Sequence, residues 1–376
     1  MSRTTEEQFP ALSARIPDAE ARALFTWPFL RASEVFDELV DAASAELLRR
    51  AGAWPVAPGT DPAALVAARG FSPRSLPLVA FVHRKLAAAG HLVAAAGGYA
   101  PSGTEPGALE ALEAELAAID ADSAVAGEAV RILVEEAGTF LSGERTGEEI
   151  LFRPDRLPLW FRYFSNRNLL YGVNNSLGAL ALSRVLEIGG GAGSAAEAAL
   201  AHLGRRLSRY LFTEVVPTFA RRGERAARAA AAEGVAVEAA KLDMTKPWAP
   251  QGAAPGAFDA VYSVNCFHVA PDLAAVLAEA REALAPGGSL VVSECVRPLG
   301  NDQPIYVELV FDLLESFTRV TLDPVARPTH GFLTPAAWRE SLRRAGFVDV
   351  TFLPDAEELA KSYPSFFASA VTARKA

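Results

Sequence analysis

Only two cysteines occur in 376 residues, Cys266 and Cys295. Each sits in an apolar, strand-like run at no spacing that a zinc site uses, so neither a disulfide framework nor a cysteine metal site organises this chain. The five histidines (His83, His91, His202, His268, His330) are scattered without acidic partners at ligand spacing, and no metal is expected. Long apolar runs are missing too: the Ala-rich stretches are broken by Glu, Asp and Arg well short of a membrane span. The first residues, MSRTTEEQFPALSARIPDAEA, are mixed and acidic, with no apolar leader core. Positive charge is in short supply, since 36 Lys and Arg face 45 Asp and Glu for a net charge of -9. Such a surface repels phosphates rather than releasing counterions from them. The expectation is a cytoplasmic protein with neither membrane nor nucleic acid as a partner.

What is present fits a globular chain: 51% hydrophobic and 22% charged residues, over a length that suits two domains. The expected division is 1–150 and 151–376. In the first part, Ser33 to Arg50 reads as a helix with Val35, Phe36, Leu39, Val40 and Leu47 on one face. Asp61 to Gly70 reads as a short helix opened by an Asp cap and closed by glycine. Pro73 to Ala89 reads as another, and a strand pair follows around Gly97-Gly98. Helix, turn, helix, hairpin is a winged-helix-like order. Its DNA-binding reading would use Arg74, His83, Arg84 and Lys85. The acidic chain favours a packing module instead, forming a dimer interface and a substrate lid. The helix-prone GALEALEAELAAIDADSAVAGEAVRILVEEAGTFL then reads as a connector between domains. LWFRYFSNRNLLYGVNN reads as a helical stretch whose Tyr163, Asn168 and Tyr171 are candidates to line a pocket.

From Arg184 short apolar strands alternate with amphipathic helices: RVLEI, YLFTE, VAVEAAKLD, DAVYSV, SLVVSE. That alternation predicts an α/β fold, Rossmann-like, with a mostly parallel sheet wrapped by helices. A last helix (Pro335 to Ala345) and two strand-like runs predict a terminal antiparallel pair. In VLEIGGGAGSA a strand ends at Glu187, and Gly189, Gly190, Gly191 and Gly193 make a tight turn into a helix. A cofactor lying against that backbone leaves no room for a Cβ. Glu214 closes the next strand, where an acid can take both ribose hydroxyls. Asp243 closes the third, placed to accept from an adenine amino group, with Met244 packing on the ring. Asn265 is a further candidate for cofactor contact, and Tyr306 for contact with the acceptor. The turn lacks G-x-G-x-x-G spacing, which speaks against a nicotinamide cofactor.

Acidic-x-Gly-x-Gly-x-Gly at the first strand, an acid after the second, an Asp after the third and Pro286-Gly287-Gly288 before the fifth resemble the class I methyltransferases. The resemblance implies S-adenosylmethionine as cofactor and S-adenosylhomocysteine as product. YLFTEVVPTFARRGERA, FDAVYSVNCFHVAPDL, APGGSLVVSE, VFDLLESF and RPTHGFLTPAAWRESLRRAGF further resemble the C-methyltransferase domains of polyketide synthases. That resemblance implies a catalytic His-Glu pair, which it places on His268 and Glu315, and a small-molecule or carrier-bound acyl substrate. The winged-helix-like unit instead is similar to small-molecule O-methyltransferases, so O-methylation of a phenol, enol or carboxylate stays open, as does a cofactor-sensing regulator. The chemistry agrees with either parent. A methyl acceptor must be aligned with the S–CH3 bond and must lose a proton. An imidazole, with an ordinary pKa near working pH, suits that task when a carboxylate fixes its tautomer.

Overall fold

The computed structural model describes residues 3–179 and 185–376. Arg184, the expected start of the first strand of the sheet, lies outside them. The chain forms two units: one built on Trp27–Tyr163 and Gly300–Thr318, the other on Glu7–Thr26, Phe164–Leu299 and Arg319–Ala376.

The first unit is helical. Its longest helix, Trp27–Arg50, buries Val35, Phe36, Leu39, Val40 and Leu47, the stripe that the periodicity predicts. Pro62–Arg69 is capped by Asp61, whose carboxylate accepts from the Ala64 N–H at 2.8 Å, and closed by Gly70 at φ +66. Leu76–Ala88 follows, then a two-stranded antiparallel ladder of β1 (Leu92–Ala95) and β2 (Gly98–Pro101). Two of the four residues considered for DNA contact are inside this unit. His83 is fully buried, and Lys85, 3% exposed, pairs with Asp37 and Asp41.

Two boundaries differ from expectation. The division falls at Tyr163, not at residue 150, because Trp160 is buried with its indole N–H on the Leu151 carbonyl, and Tyr163 packs edge-on to Phe311. The expected connector is part of the first unit's core, burying Leu112, Leu116, Val130 and Leu133. It is not one helix either. Asp120, in an extended conformation, ends Leu109–Ile119, and its carboxylate takes the Ser123 N–H just before Ala124–Glu135. In the same way, LWFRYFSNRNLLYGVNN is broken into Leu157–Tyr163 and Leu169–Ala179.

The second unit holds a seven-stranded sheet. Its strands are β3 (Val185–Ile188), β4 (Arg209–Thr213), β5 (Ala236–Ala240), β6 (Phe258–Val264), β7 (Leu284–Cys295), β8 (Phe347–Leu353) and β9 (Ala368–Lys375), in the order β5-β4-β3-β6-β7-β9-β8. The first five run parallel, and β9 and β8 add antiparallel, as the sequence predicts. The chain leaves β3 for β4 on one side and returns to β6 on the other. A crevice at the carboxyl ends of β3 and β6 is therefore the expected ligand site of this topology. One face of the sheet carries Ala196, Ala199 and Leu200 of the helix Ser194–Leu203, and the other carries Leu273–Ala283 and Trp338 of Pro335–Arg344. Trp338 is fully buried among Leu342, Phe347, Val371 and Ala373. Trp338→Ala is expected to lower stability by about 3–5 kcal/mol, read from a shifted denaturant midpoint.

Candidate active site

The turn after β3 needs its glycines for identifiable reasons. Gly189 has φ +67, and a Cβ there would stand 2.3 Å from Cys266 Sγ. Gly190 lies against the Phe212 ring, and its N–H donates to the Thr213 carbonyl at 2.9 Å. Gly191 has φ +53 with open space where a Cβ would project. The turn thus presents bare backbone at the switch point. Its N–H at Gly191 donates to Glu214 Oε2 at 2.9 Å, and Val216 N–H donates to Glu214 Oε1 at 2.7 Å. Glu214 is locked onto the turn with acceptor capacity to spare, since a carboxylate offers about four lone-pair positions.

Beneath the turn, Glu187 is 1% exposed, and among the described residues neither carboxylate oxygen makes a hydrogen bond of ordinary geometry, although the Tyr210 hydroxyl lies close by. Burial pushes its carboxyl up to about 8 against the opposing pull of Tyr210, and nearby Glu214 adds to the shift. Two more buried acceptors lack partners, Oδ1 of Asn174 and Oδ1 of Asn175, both on Leu169–Ala179. Asn174 Nδ2 approaches Asn265 Oδ1 at 3.4 Å, and Asn166 ties the start of this segment to the Ser194 carbonyl at 2.8 Å. Orphaned acceptors of this kind fit a ligand that brings its own cationic or N–H donors.

At the end of β6 the chain turns sharply, with Asn265 at φ +46 and its Oδ1 accepting from the Cys295 N–H at 3.2 Å. The 3-10 turn Phe267–Val269 follows. His268 is 4% exposed, its ring 4.2 Å from that of Phe332. His268 Nδ1 lies 2.7 Å from Glu294 Oε2. Glu294 is fully buried at the end of β7, and its Oε1 accepts the N–H groups of Cys266, Phe267 and His268 at 3.1, 3.0 and 3.4 Å. A carboxylate only accepts, so Nδ1 carries the proton and Nε2 is the basic nitrogen of the ring. Neither cysteine is in a disulfide, and burial raises the Cys266 thiol far above its ordinary range, which leaves it inert as a nucleophile.

Residues 186–290 match the family described as a methyltransferase domain. The chain carries a methyltransferase domain. Over 173 residues, 45% of this chain, it is 31% identical to polyketide synthase ThaQ of Burkholderia thailandensis, and over 65% of this chain it is 28% identical to highly reducing polyketide synthase 40 of Fusarium pseudograminearum. The chain spans under a tenth of those proteins, 8% and 9% of their lengths. The structure of the CurJ carbon methyltransferase superposes with a TM-score of 0.76, covering 99% of this chain and 98% of that one at 21% identity, a likeness of fold.

Within the second unit the structure brings together Glu187, Gly189, Gly191, Gly193 and Glu214 around one turn, and His268 and Asn265 at the end of β6, the strand beside β3. Five candidates make contacts of their own within the unit. Asp243 accepts from the Thr245 N–H and hydroxyl at 3.0 and 2.6 Å and pairs with Lys246, contacts that hold it at about 2, so it first stabilises its own turn. Met244 packs partly buried against the core, and its carbonyl takes the Trp248 indole N–H. Asn265 joins the ends of β6 and β7. Asn168 is buried, with Oδ1 on the Leu170 N–H at the start of its helix, and Tyr171 stands edge-on to Phe164.

Tyr163, Tyr306 and Glu315 belong to the first unit. Tyr163 and Tyr306 are buried there, the first against Trp160 and the second edge-on to Phe36 at 4.8 Å. Glu315 opens the helix Glu315–Thr318, and its N–H donates to Glu148. The carboxylate that takes the imidazole Nδ1 is Glu294, a residue the sequence reading passed over. Its signal was present: it ends the strand SLVVSE, and parallel pairing of Val264 with Ser293 sets it beside the His268 turn.

Proposed function

We propose that this chain transfers a methyl group to an activated carbon of a ketide-like, carrier-bound or free acyl intermediate, with His268 as general base and Glu294 as its partner. S-adenosylmethionine is the cofactor, and it supplies an electrophilic methyl group on a sulfonium. Glu187, Gly189, Gly191, Gly193 and Glu214 would hold it, with Asp243, Met244 and Asn265 at the rim. The observation that carries the reading is the His268–Glu294 pair at 2.7 Å, set just after β6 and two residues from Cys266, whose sulfur leaves no room for a Cβ at Gly189. A carbon between two carbonyls loses its proton to Nε2, and Glu294 stabilises the imidazolium that results. The naming of the relatives as polyketide synthases supports a ketide-like acceptor.

The test uses a cofactor with a deuterated methyl group, a panel of β-ketoacyl thioesters and phenols, and fragmentation of the product by mass spectrometry. Label on carbon is the expected result. Label on oxygen moves the enzyme to the O-methyltransferase class.

Glu187 adds a pH signature. Its folded pKa lies above its unfolded value, so the native state holds the extra proton, and its burial costs stability increasingly as pH rises from about 4.5 towards about 8. A cationic ligand beside it favours the carboxylate. Cofactor binding at pH 7 is therefore expected to release a proton, read as a binding enthalpy that depends on the buffer's ionisation heat. Glu187→Gln should abolish that release.

A further inference from the structure

The base segment is gripped from its other side by a buried cation that the catalytic reading leaves unused. Arg327 is 3% exposed. One of its terminal nitrogens donates to the His268 carbonyl at 2.6 Å and the other to the Ala270 carbonyl. Its Nε has no partner among the described residues. Taking a guanidinium out of water is costly, and burial lowers its pKa to about 10 against the pull of Asp272 and Glu294. What it holds in return is the pair of carbonyls on the base turn.

The contacts of the turn divide cleanly. Within Phe267–Val269 the local bonds use the carbonyls of Cys266 and Phe267, through the N–H groups of Val269 and Ala270. Glu294 takes the N–H groups of residues 266 to 268. The carbonyls of His268 and Ala270 go to Arg327. The segment presenting Arg327 is itself well held. Asp323 and Arg327 exchange backbone hydrogen bonds at 2.9 and 3.0 Å, and Asp323 Oδ1 takes the N–H groups of Val325 and Ala326. Arg344 pairs with Asp323, Ser341 donates to the Ala326 carbonyl, and the Thr321 N–H donates to the Pro271 carbonyl at 2.7 Å. Phe332, against which the His268 ring lies, comes from the same stretch of chain.

We propose that Arg327 is a positioning residue for His268, clamping the carbonyl side of the base turn while Glu294 clamps its N–H side, so that the imidazole keeps one direction and one tautomer. The proposal rests on His268 being the base. It is tested in the full-length chain with Arg327→Met, which keeps bulk without charge, and Arg327→Lys, which keeps charge and one donor group. Acceptor kinetics, S-adenosylhomocysteine affinity and nitrogen-15 NMR of the histidines are read together. The expected result for Arg327→Met is a kcat lower by about 10- to 100-fold, with acceptor KM and cofactor affinity nearly unchanged. A mixed or broadened His268 tautomer signal accompanies that loss, and Arg327→Lys recovers part of both.

The proposal is overturned if Arg327→Met keeps its kcat, or if activity falls only in step with folded fraction while the His268 signal stays as in the parent. Should Arg327→Met not fold, the lysine variant carries the same comparison. If the parent transfers no methyl group to carbon, the functional reading fails, yet the NMR comparison still decides whether Arg327 orders the ring.

Discussion

His268→Ala is expected to lower kcat by a factor of about 10²–10⁴, the usual worth of a positioned general base, while S-adenosylhomocysteine binds as tightly as before. The separation follows from geometry. The proposed cofactor elements are the glycine turn, Glu187 and Glu214: Glu214 accepts from the Gly191 and Val216 N–H groups, and Thr213 accepts from the Gly190 N–H and donates to the Glu187 carbonyl, none of which involves the imidazole. His268 contacts Glu294, Phe332 and, through its carbonyl, Arg327. Loss of the ring removes the proton acceptor and leaves the turn intact. Calorimetry with S-adenosylhomocysteine and steady-state kinetics on the same preparation check both halves. Equal loss of affinity and turnover would sink the assignment of His268 as base.

Glu294→Gln carries an expected effect of the same order. An amide can still accept the N–H groups of Cys266, Phe267 and His268, so the turn survives. Its NH2 group then faces Nδ1, which must become an acceptor, and the proton moves to Nε2. The base is lost without loss of the residue. The analogous exchange in a serine protease triad costs about 10⁴ in kcat, and a fall on the order of 10³ or more is expected here. The His268→Ala, Glu294→Gln double variant should be hardly worse than either single one, because the two act as a unit. Glu294→Ala is the wrong tool. It strands buried N–H groups at about 1–3 kcal/mol each and confounds chemistry with folding.

The parts of this molecule that could be read in advance are those with a local signature. The alternation of strand and helix after residue 184 gives the parallel sheet. Glu187 and the glycines declare the turn, and Asp61 with Gly70 brackets a helix. What escaped depends on which strands become neighbours. Glu294 ends β7 and His268 follows β6, 26 positions apart in sequence, and only the parallel register joins them. Glu315 fits the familiar pattern of a helical carboxylate, and its backbone N–H donates to Glu148. Arg327 is invisible for the same reason, since a loop arginine in DPVARPTHG reads as solvent-exposed until the loop is seen to close on the His268 turn. The breaks at Asp120 and after Tyr163 were missed because side-chain capping and aromatic packing overrode a continuous helical pattern.

The most direct test of the base assignment is solvent exchange at the acceptor carbon without methyl transfer. A β-ketoacyl thioester is incubated in deuterium oxide with the protein and S-adenosylhomocysteine, and uptake of deuterium at the α-carbon is followed by mass spectrometry. The account predicts exchange well above the spontaneous rate, lost in His268→Ala and in Glu294→Gln. Exchange that proceeds undiminished in both variants would contradict it, because some other group would then be removing the proton.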